Sequence, residues 1–262
     1  MEVVILPDAE AVAALAARTV AAELRRAERP VLGLATGSSP LGIYAALRGI
    51  VEAGELSMDG VRGFALDEYV GLPVGHPESY AEVVRREAVV PLGMDPALVR
   101  VPDGAAEDIE AACADYERAI AEAGGVTVQI LGIGGNGHIG FNEPTSSLAS
   151  RTRIKTLAAA TRQANARFFA EADGASVPTH CLTQGLGTIL EAGALVLVAQ
   201  GEHKAEAIRQ AVEGPLSSRW PASALQLHRR ATVIVDEEAA SRLELADYYR
   251  DTVAAKPDWQ RV

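Results

Sequence analysis

Short apolar runs alternate along the chain with longer segments in which apolar residues recur every three or four positions. The runs predict buried β-strands, and the periodic segments predict helices with one core-facing side. We expect strands at residues 3–6, 31–35, 61–66, 126–133, 151–157, 180–183, 194–199 and 232–235. Helices are expected at residues 8–27, 41–53, 79–89, 107–123, 161–170, 185–191, 203–213 and 237–250.

This alternation also predicts the fold class. Strands that alternate with helices over the whole length indicate an α/β protein with a three-layer, Rossmann-like arrangement, in which a mostly parallel sheet carries helices on both faces. No linker, low-complexity tract or internal repeat interrupts the chain. Residues 1–262 are therefore expected to form a single domain.

The charge of the chain limits its partners. A formal net charge of −11 argues against nucleic acid or an anionic membrane as the main partner. A small anionic ligand stays compatible with this charge, because a local pocket can be positive. Cys113 and Cys181 lack CxxC spacing, so we expect neither a disulfide framework nor a zinc site. No leader segment or membrane-spanning apolar run is visible, which predicts a cytoplasmic protein.

The stretch 129–144 combines the end of a predicted strand with a glycine-rich loop. The apolar run breaks into Gly132, Gly134, Gly135 and Gly137. Their spacing matches G-x-G-x-x-G, yet the acidic residue that a dinucleotide site needs about twenty positions further on is replaced by a basic segment. We therefore interpret these glycines as a loop that contacts a small ligand.

His138 and Glu143, which follow these glycines, are candidates for a proton-transfer pair. An imidazole titrates near neutral pH, and a carboxylate can orient it. A lone histidine in a loop is more often structural than catalytic. Here its position beside Asn136, Asn142 and Glu143 favours a functional role.

A second polar loop follows the strand predicted at residues 31–35. Its residues are Thr36, Gly37, Ser38 and Ser39, and a helix opens at Pro40. Hydroxyls and backbone N–H groups at a helix N-terminus form a good anion cradle. The spacing and the lysine of a P-loop are absent. On this pattern alone, a phosphate site and a simple helix cap explain the loop equally well.

Charged residues at strand ends supply two further candidates. Asp67 and Glu68 end the strand predicted at 61–66, and neighbours on a strand point to opposite faces, so at most one of them faces a given site. Such a carboxylate is either a turn residue or a base whose pKa is raised by burial. Lys204 follows an apolar strand and Gly201, where a phosphate would want a cation, although most lysines are simply solvated.

Several longer motifs can be taken together. They are Leu34-Ala-Thr-Gly-Ser-Ser-Pro40, Leu66-Asp-Glu-Tyr-Val-Gly-Leu72, His76-Pro-Glu-Ser-Tyr80, Gly132-Ile-Gly-Gly-Asn-Gly-His-Ile-Gly-Phe-Asn-Glu-Pro144, Ser150-Arg-Thr-Arg-Ile-Lys-Thr156 and Val212-Glu-Gly214. In this order, and over nearly the whole chain, they resemble the glucosamine-6-phosphate deaminase family.

The resemblance implies a reaction and a set of roles. Glucosamine 6-phosphate would become fructose 6-phosphate and ammonia in amino-sugar catabolism, as in the degradation of N-acetylglucosamine, with no metal or organic cofactor. His138, assisted by Glu143, would open the pyranose ring, and Asp67 would move a proton from C2 to C1 through an enolamine. The residues implied to hold the phosphate are Thr36, Gly37, Ser38, Ser39, Arg167 and Lys204. On this basis we class the expected enzyme as a hydrolase that couples an aldose–ketose isomerisation to loss of ammonia.

Asn136 departs from the pattern of many family members, which carry an aspartate there, whereas other members carry asparagine. An amide can hydrogen-bond His138, but it cannot stabilise the imidazolium with a charge. We therefore predict a lower apparent pKa for His138 than in aspartate-bearing relatives. An Asn136→Asp variant should then move the acid limb of the pH–rate profile.

The resemblance extends to regulation. Hexameric relatives are activated by N-acetylglucosamine 6-phosphate at a subunit interface, and the residues that match its phosphate site are Ser146, Arg153, Lys155 and Thr156. The C-terminal tyrosine of that site has no partner in register, since Tyr248 and Tyr249 lie slightly off, so activation and a homo-oligomer both stay open. Residues 151–178 would form a mobile lid over the site.

Two other functions stay open at this point. A 6-phosphogluconolactonase shares the fold and a glycine-rich histidine loop, but it should lack the Phe-Asn-Glu-Pro ending and the motif from Asp67 to Tyr69. A non-catalytic sugar-phosphate sensor of this fold usually carries a DNA-binding helical segment, for which this acidic chain has no room. Ammonia release from glucosamine 6-phosphate would distinguish these functions from the deaminase.

Overall fold

A seven-stranded parallel sheet runs through the centre of the protein, whose computed structural model describes residues 1–172 and 176–257. The strands in chain order are β1 (Glu2–Leu6), β2 (Val31–Leu34), β3 (Arg62–Ala65), β4 (Asp67–Tyr69), β5 (Val99–Arg100), β6 (Val128–Leu131), β7 (Arg153–Thr156), β8 (His180–Thr183), β9 (Ala194–Ala199) and β10 (Ala231–Asp236). The central sheet has the order β1-β10-β9-β6-β2-β3-β5, and each neighbouring pair is parallel.

The apolar composition of these strands explains why they lie in the core. Every residue of β9 is buried, and so is every residue of β2. Because successive side chains point to opposite faces, a strand that is buried throughout must be covered on both sides. The predicted α/β fold with a mostly parallel, helix-flanked sheet is therefore confirmed.

A separate antiparallel sheet corrects part of the prediction. It has the order β4-β8-β7, so the strands expected at 151–157 and 180–183 do not join the central sheet. The strand expected at 61–66 ends at Ala65, and the chain enters this second sheet at Asp67, which pairs with Thr183. An apolar run predicts a strand but not its partner, since pairing depends on contacts that are distant in sequence.

Helices flank the central sheet and fill most of the connections. They are α1 (Ala9–Arg26), α2 (Ser38–Glu52), α3 (Tyr80–Val84), α4 (Val90–Leu92), α5 (Ile109–Ala123), α6 (Ala159–Ala172), α7 (Leu186–Leu190), α8 (Ala205–Val212) and α9 (Ala246–Ala254). A π-helical turn, Arg85–Val89, joins α3 to α4, and 3-10 turns lie at Pro96–Leu98, Glu202–Lys204 and Pro221–Leu227. No helix in the described part of the chain is both long and apolar enough to cross a membrane.

Local capping explains where several helices begin. The Asp8 side chain accepts a hydrogen bond from the Ala11 N–H at 2.8 Å and thereby caps α1. The helix predicted at 237–250 is wrong in its first half, because α9 begins only at Ala246. Asp236 accepts a hydrogen bond from the Ala239 N–H at 2.7 Å, which holds the residues after Asp236 in a turn instead of a helix.

Candidate active site

A cavity of about 540 Å³ lies at the carboxyl edge of the central sheet. Many of its lining residues belong to the segments that follow β2, β3, β6 and β9, which are neighbours in the sheet. Between β2 and β6 the strand order reverses direction, and ligands of open α/β sheets bind at such a switch point. The cavity therefore lies where this fold places a ligand site.

The loop after β2 forms one wall of the cavity. Gly37 is the N-terminal cap residue of α2 and has a φ of 99°, a conformation that favours glycine. No side chain caps this helix, so a hydroxyl cap does not explain the loop. Thr36, Ser38 and Ser39 line the cavity beside the helix N-terminus, where the helix dipole favours an anion.

Two cations from distant elements face the same cavity. Lys204, in the turn after β9, donates a hydrogen bond from Nζ to the carbonyl oxygen of Ile133 at 2.7 Å. Arg167 reaches the cavity from α6. Burial lowers the pKa of Lys204, and the nearby charge of Arg167 lowers it further. This cavity is thus locally positive, although the chain as a whole is acidic.

The glycines after β6 shape the loop that carries His138. The Gly134 N–H donates to the carbonyl oxygen of His138 at 2.9 Å, and Gly137, with a φ of 83°, closes the turn. A Cβ at Gly134 would lie 2.2 Å from the His138 ring, so the imidazole packs directly over this glycine. The close approach requires glycine at this position.

Asn136 bridges the two candidate acid/base groups of the loop. Its Nδ2 donates to Glu143 Oε2 at 2.8 Å, and its Oδ1 lies 2.6 Å from His138 Nδ1. A carboxylate only accepts hydrogen bonds, so the amide NH2 must face Glu143 and the amide oxygen must face His138. The His138 backbone N–H, which donates to the same oxygen at 3.2 Å, requires the same orientation.

This orientation fixes the tautomer of His138. Because the amide oxygen accepts, Nδ1 of the neutral ring carries the proton, and Nε2 keeps its lone pair. Burial lowers the pKa of His138, the Glu143 carboxylate opposes this shift, and Lys204 adds to it. Burial therefore biases the ring towards its uncharged form, in which the lone pair of Nε2 is free to accept a proton.

Glu143, at the end of this loop, is buried and does not line the cavity. Its Oε2 is 3.6 Å from His138 Nδ1, so the two groups are linked mainly through the Asn136 amide. Its Oε1 accepts a hydrogen bond from the Thr161 hydroxyl at 2.5 Å and another from the Ala158 N–H at 3.2 Å. The carboxylate is therefore held by both of its oxygens.

Asp67 lines the cavity from another element, the start of β4. Its side chain is buried, and within the described residues no group donates a hydrogen bond to its carboxyl. Burial raises the pKa of Asp67 well above its usual value, and the charge of Glu68 adds to that rise. A carboxyl of this kind is a stronger base than an exposed one and a usable acid near neutrality.

The adjacent Glu68 has a structural role instead. Its carboxylate accepts backbone N–H groups from Tyr69 at 2.7 Å and from Tyr80 and Ala81 at 2.8 Å each. These contacts anchor the start of α3 to β4. Glu68 does not line the cavity, so Asp67 alone of this pair faces it.

Residues of α6 complete the wall, and the sequence patterns did not single them out. Thr161, Ala164, Asn165 and Phe168 line the cavity at positions i, i+3, i+4 and i+7 of one helix face. This spacing could have indicated that the four residues share one helix face. The face mixes polar and apolar residues, however, so it is not recognised as an apolar stripe. Tyr80 of α3, which the sequence analysis gave only as the end of a motif, also lines the cavity, and its hydroxyl lies 3.3 Å from the Tyr69 hydroxyl.

The residues that match the activator site do not line this cavity. Arg153 donates from Nη1 to Asn142 Oδ1 at 2.8 Å, and Asn142 in turn holds the carbonyl oxygen of Ile139 at 3.0 Å. Ser146 is buried, and no described group bonds its hydroxyl. Lys155 lies beside Arg153 on the same side of β7, whereas Thr156 is exposed. In the described part of the chain, two residues of this set therefore contact the segment of the candidate acid/base groups: Arg153 through its side chain, and Ser146 through its backbone N–H, which donates to the Glu143 carbonyl oxygen at 3.1 Å.

Fold and site together define a Rossmann-like α/β protein with an anion cradle and acid/base side chains at the switch point of its sheet. A profile of the family described as glucosamine-6-phosphate isomerases/6-phosphogluconolactonase matches residues 7–234. The chain belongs to this family. The glucosamine-6-phosphate deaminase of Beutenbergia cavernae is 60% identical over 260 residues, which are 99% of each chain. That of Mycolicibacterium smegmatis is 57% identical over 262 residues, the whole of both chains.

Solved structures agree with this assignment. A monomeric glucosamine-6-phosphate deaminase superposes with a TM-score of 0.88 at 42% identity and covers 92% of this chain and 99% of its own. The 6-phosphogluconolactonase from Trypanosoma cruzi reaches a TM-score of 0.72 at 17% identity, covering 93% of this chain and 97% of its own, which shows the shared fold alone.

The family assignment corrects one expectation. Classing the enzyme as a hydrolase is wrong, because the family is described by its glucosamine-6-phosphate isomerases and the close relatives are deaminases of that type.

Proposed function

We propose that this protein converts glucosamine 6-phosphate into fructose 6-phosphate and ammonia. The names of its full-length relatives support this reaction. The observation that carries the proposal is the position of Asp67, a buried carboxyl with a raised pKa that shares one cavity with the neutral His138 base and the anion cradle. Such a pair of acid/base groups suits a reaction with two separate proton transfers.

The phosphate of the substrate would bind at the cradle. The first-turn N–H groups of α2 and the hydroxyls of Thr36, Ser38 and Ser39 supply hydrogen bonds, while Gly37 leaves room for the ligand. Lys204 and Arg167 supply charge, the first as a compact ammonium and the second as a planar fork. A bound phosphate would fix the sugar with its carbon skeleton extending towards the acid/base groups.

Ring opening is the first chemical step in this proposal. His138 Nε2 takes the proton of the anomeric hydroxyl, the C1–O5 bond breaks, and the proton passes to O5, which leaves the open aldehyde. The imidazolium that forms transiently is stabilised by the Asn136 carbonyl at Nδ1 and by the Glu143 carboxylate 3.6 Å away. The Asn136 amide therefore orients the base, and Glu143 supplies the charge.

Proton transfer at carbon follows and is assigned to Asp67. Its carboxylate removes the C2 proton while the carbonyl at C1 gains a proton, which gives an enolamine. Asp67 then returns the proton to C1, and water adds at C2 as ammonia leaves, so that the ketose oxygen comes from water. Burial suits both halves of this exchange, because a carboxyl with a raised pKa accepts and returns a proton more evenly.

The experiment that tests this proposal measures ammonia and fructose 6-phosphate from glucosamine 6-phosphate, with N-acetylglucosamine 6-phosphate and 6-phosphogluconolactone as comparison substrates. In D2O, the proton shift predicts deuterium at C1 of the product whenever Asp67 exchanges with solvent during turnover. Asp67→Asn should abolish both the product and the exchange of the C2 proton. Turnover of the lactone alone, or an active Asp67→Asn variant, would refute the proposal.

The parts of the fold around this site support two further expectations. We infer that residues 1–262 act as a single domain. We also infer that residues 151–178 serve as a lid, because this segment contains β7 and α6, and α6 contributes a wall of the cavity. Residues 173–175 of that segment lie outside the described residues. Cavity access measured with and without a phosphate ligand, by amide exchange along α6, would test the lid.

Activation and assembly remain separate proposals. Activation by N-acetylglucosamine 6-phosphate would act through Ser146, Arg153, Lys155 and Thr156, and the Arg153–Asn142 contact supports a link to the catalytic loop. The solved deaminase that superposes on this chain at 42% identity is monomeric, which gives no support to a hexamer. Sigmoidal kinetics that Arg153→Ala abolishes would support activation, whereas hyperbolic kinetics of a monomer unaffected by the compound would exclude it.

A further inference from the structure

The Glu143 carboxylate accepts hydrogen bonds from two different segments of the chain. Its Oε2 faces the catalytic loop, where Asn136 donates at 2.8 Å. Its Oε1 faces α6, where the Thr161 hydroxyl donates at 2.5 Å and the Ala158 N–H at 3.2 Å. The orientation of this carboxylate therefore depends on helix α6 as much as on the loop that contains it.

The contact with α6 lies at the N-terminus of that helix. Ala158 directly precedes α6, and Thr161 is in its first turn. A carboxylate is stabilised there by the helix dipole, so Glu143 serves as the N-terminal anion of a helix distant from it in sequence. Thr161 and Glu143 are both buried, at 7% and 5% exposure, so water cannot readily replace a lost hydroxyl.

We propose that Thr161 is a positioning residue, whose hydroxyl lets α6 set the Glu143 carboxylate against Asn136 and His138. This assignment rests on the proposed function, because it concerns the ring-opening step. Helix α6 also presents Asn165 and Arg167 to the cavity. A substrate that binds these side chains thus holds in place the same helix that orients Glu143.

The proposal has a consequence for His138 that a purely structural role would not have. Among the described residues, the charged groups that shift the pKa of His138 are Glu143, which raises it, and Lys204, which lowers it. Removing the Thr161 hydroxyl leaves Oε1 of Glu143 with the longer bond from the Ala158 N–H alone, which loosens the carboxylate and increases its mean distance from the ring, while Lys204 is unaffected. The pKa of His138 should therefore fall further.

The test compares Thr161→Val, which keeps the shape but removes the hydroxyl, with Thr161→Ser, which keeps the hydroxyl. The His138 ring is titrated by NMR and assigned with a His138→Asn variant. We expect Thr161→Val to lower the His138 pKa by about 0.5 unit or more and kcat by about tenfold or more. Thr161→Ser should keep the His138 pKa close to that of the parent and kcat within about threefold of the parent value.

Thr188→Val is the matched control. Thr188 is another buried threonine that donates to a carboxylate, Glu117, at 2.6 Å, but it does not line the cavity. Its loss should lower the melting temperature as Thr161→Val does, yet leave the His138 titration and kcat unchanged. An unchanged titration in Thr161→Val, or equal losses in the Val and Ser variants, would overturn the proposal.

Failure of the proposed function would look different. If the parent protein releases no ammonia from glucosamine 6-phosphate, the reaction assignment is wrong. The NMR titration needs no turnover, so it still decides whether Thr161 controls the electrostatics of His138 through Glu143.

Discussion

Replacing Asn136 by aspartate would put a negative charge between His138 and Glu143 with almost no change of shape. In the native site the amide satisfies both neighbours, since its oxygen accepts from the imidazole and its NH2 donates to the carboxylate. A carboxylate at this position would keep the first contact and lose the second. The substitution therefore changes charge and hydrogen bonding at a fixed geometry.

The size of the effect follows from the distances. The new charge would lie 2.6 Å from His138 Nδ1, where an attraction in a medium of effective dielectric constant about 20 is about 6 kcal/mol. Repulsion from Glu143, 2.8 Å from the present amide nitrogen, has about the same size. An imidazolium close to both carboxylates offsets that repulsion, so the variant should hold its proton on the ring.

Asn136→Asp should accordingly raise the pKa of His138, against the lowering that burial causes in the native protein. The Coulomb value of about 6 kcal/mol corresponds to about four pKa units, which is a ceiling because the three groups titrate together. We expect the acid limb of the kcat/KM–pH profile to move up by about one to three units. At pH values below the new limb, kcat/KM should fall about tenfold per unit.

The assay is the ammonia-release profile of the variant and of the parent at equal ionic strength, together with an NMR titration of His138. Asn165→Asp is the matched control, because it adds the same charge to the same cavity, while its native contact is to the Tyr69 hydroxyl at 2.9 Å. An acid limb that stays in place in Asn136→Asp, or that moves equally in the control, would refute this account of the site.

Three further outcomes follow from the same geometry. Gly134→Ala should lower kcat about 100-fold by displacing His138, whereas Gly135→Ala, whose added Cβ would meet no atom within 4 Å, should stay near the parent rate. Burial raises the folded-state pKa of Asp67 above its unfolded value of about 3.9, so its ionised form destabilises the fold as pH rises through that interval. Asp67→Asn should therefore raise the melting temperature near pH 7 but not near pH 3, as calorimetry can check. Lys204→Gln should raise KM about tenfold or more with a smaller effect on kcat, in steady-state kinetics.

The sequence was sufficient to predict six of the seven strands of the central sheet, all but the short β5, and the convergence of the main loops. Because the carboxyl ends of parallel strands share one edge, the loops that follow the strands near residues 35, 131 and 199 had to meet there. Asp67 was less predictable. Its approach to the cavity depends on the chain leaving the central sheet after Ala65 and pairing with Thr183, which no local pattern encodes.

The supporting contacts were beyond a local pattern for the same reason. Thr161 appeared only as the start of a predicted helix, since its partner Glu143 lies in an irregular loop far from it in sequence. The role of Asn136 as a bridge also needed coordinates. Sequence comparison treats the asparagine as the loss of a charge, whereas the structure shows an amide whose two ends match an imidazole on one side and a carboxylate on the other.

Burial links three perturbed groups that face the cavity and take part in the proposed reaction. It raises the pKa of Asp67 and lowers the pKa values of His138 and Lys204, so each group is biased towards its neutral form. A phosphate at the cradle would oppose this bias at Lys204, because an anion beside an amine favours its protonated form. The bound phosphate lies farther from His138 than from Lys204, so its charge has a smaller effect on the imidazole. Binding of the phosphate therefore favours the protonated form of Lys204, the side chain that holds it, and leaves the His138 imidazole free to take a proton. Substrate binding and catalysis are thus separated within one buried cavity.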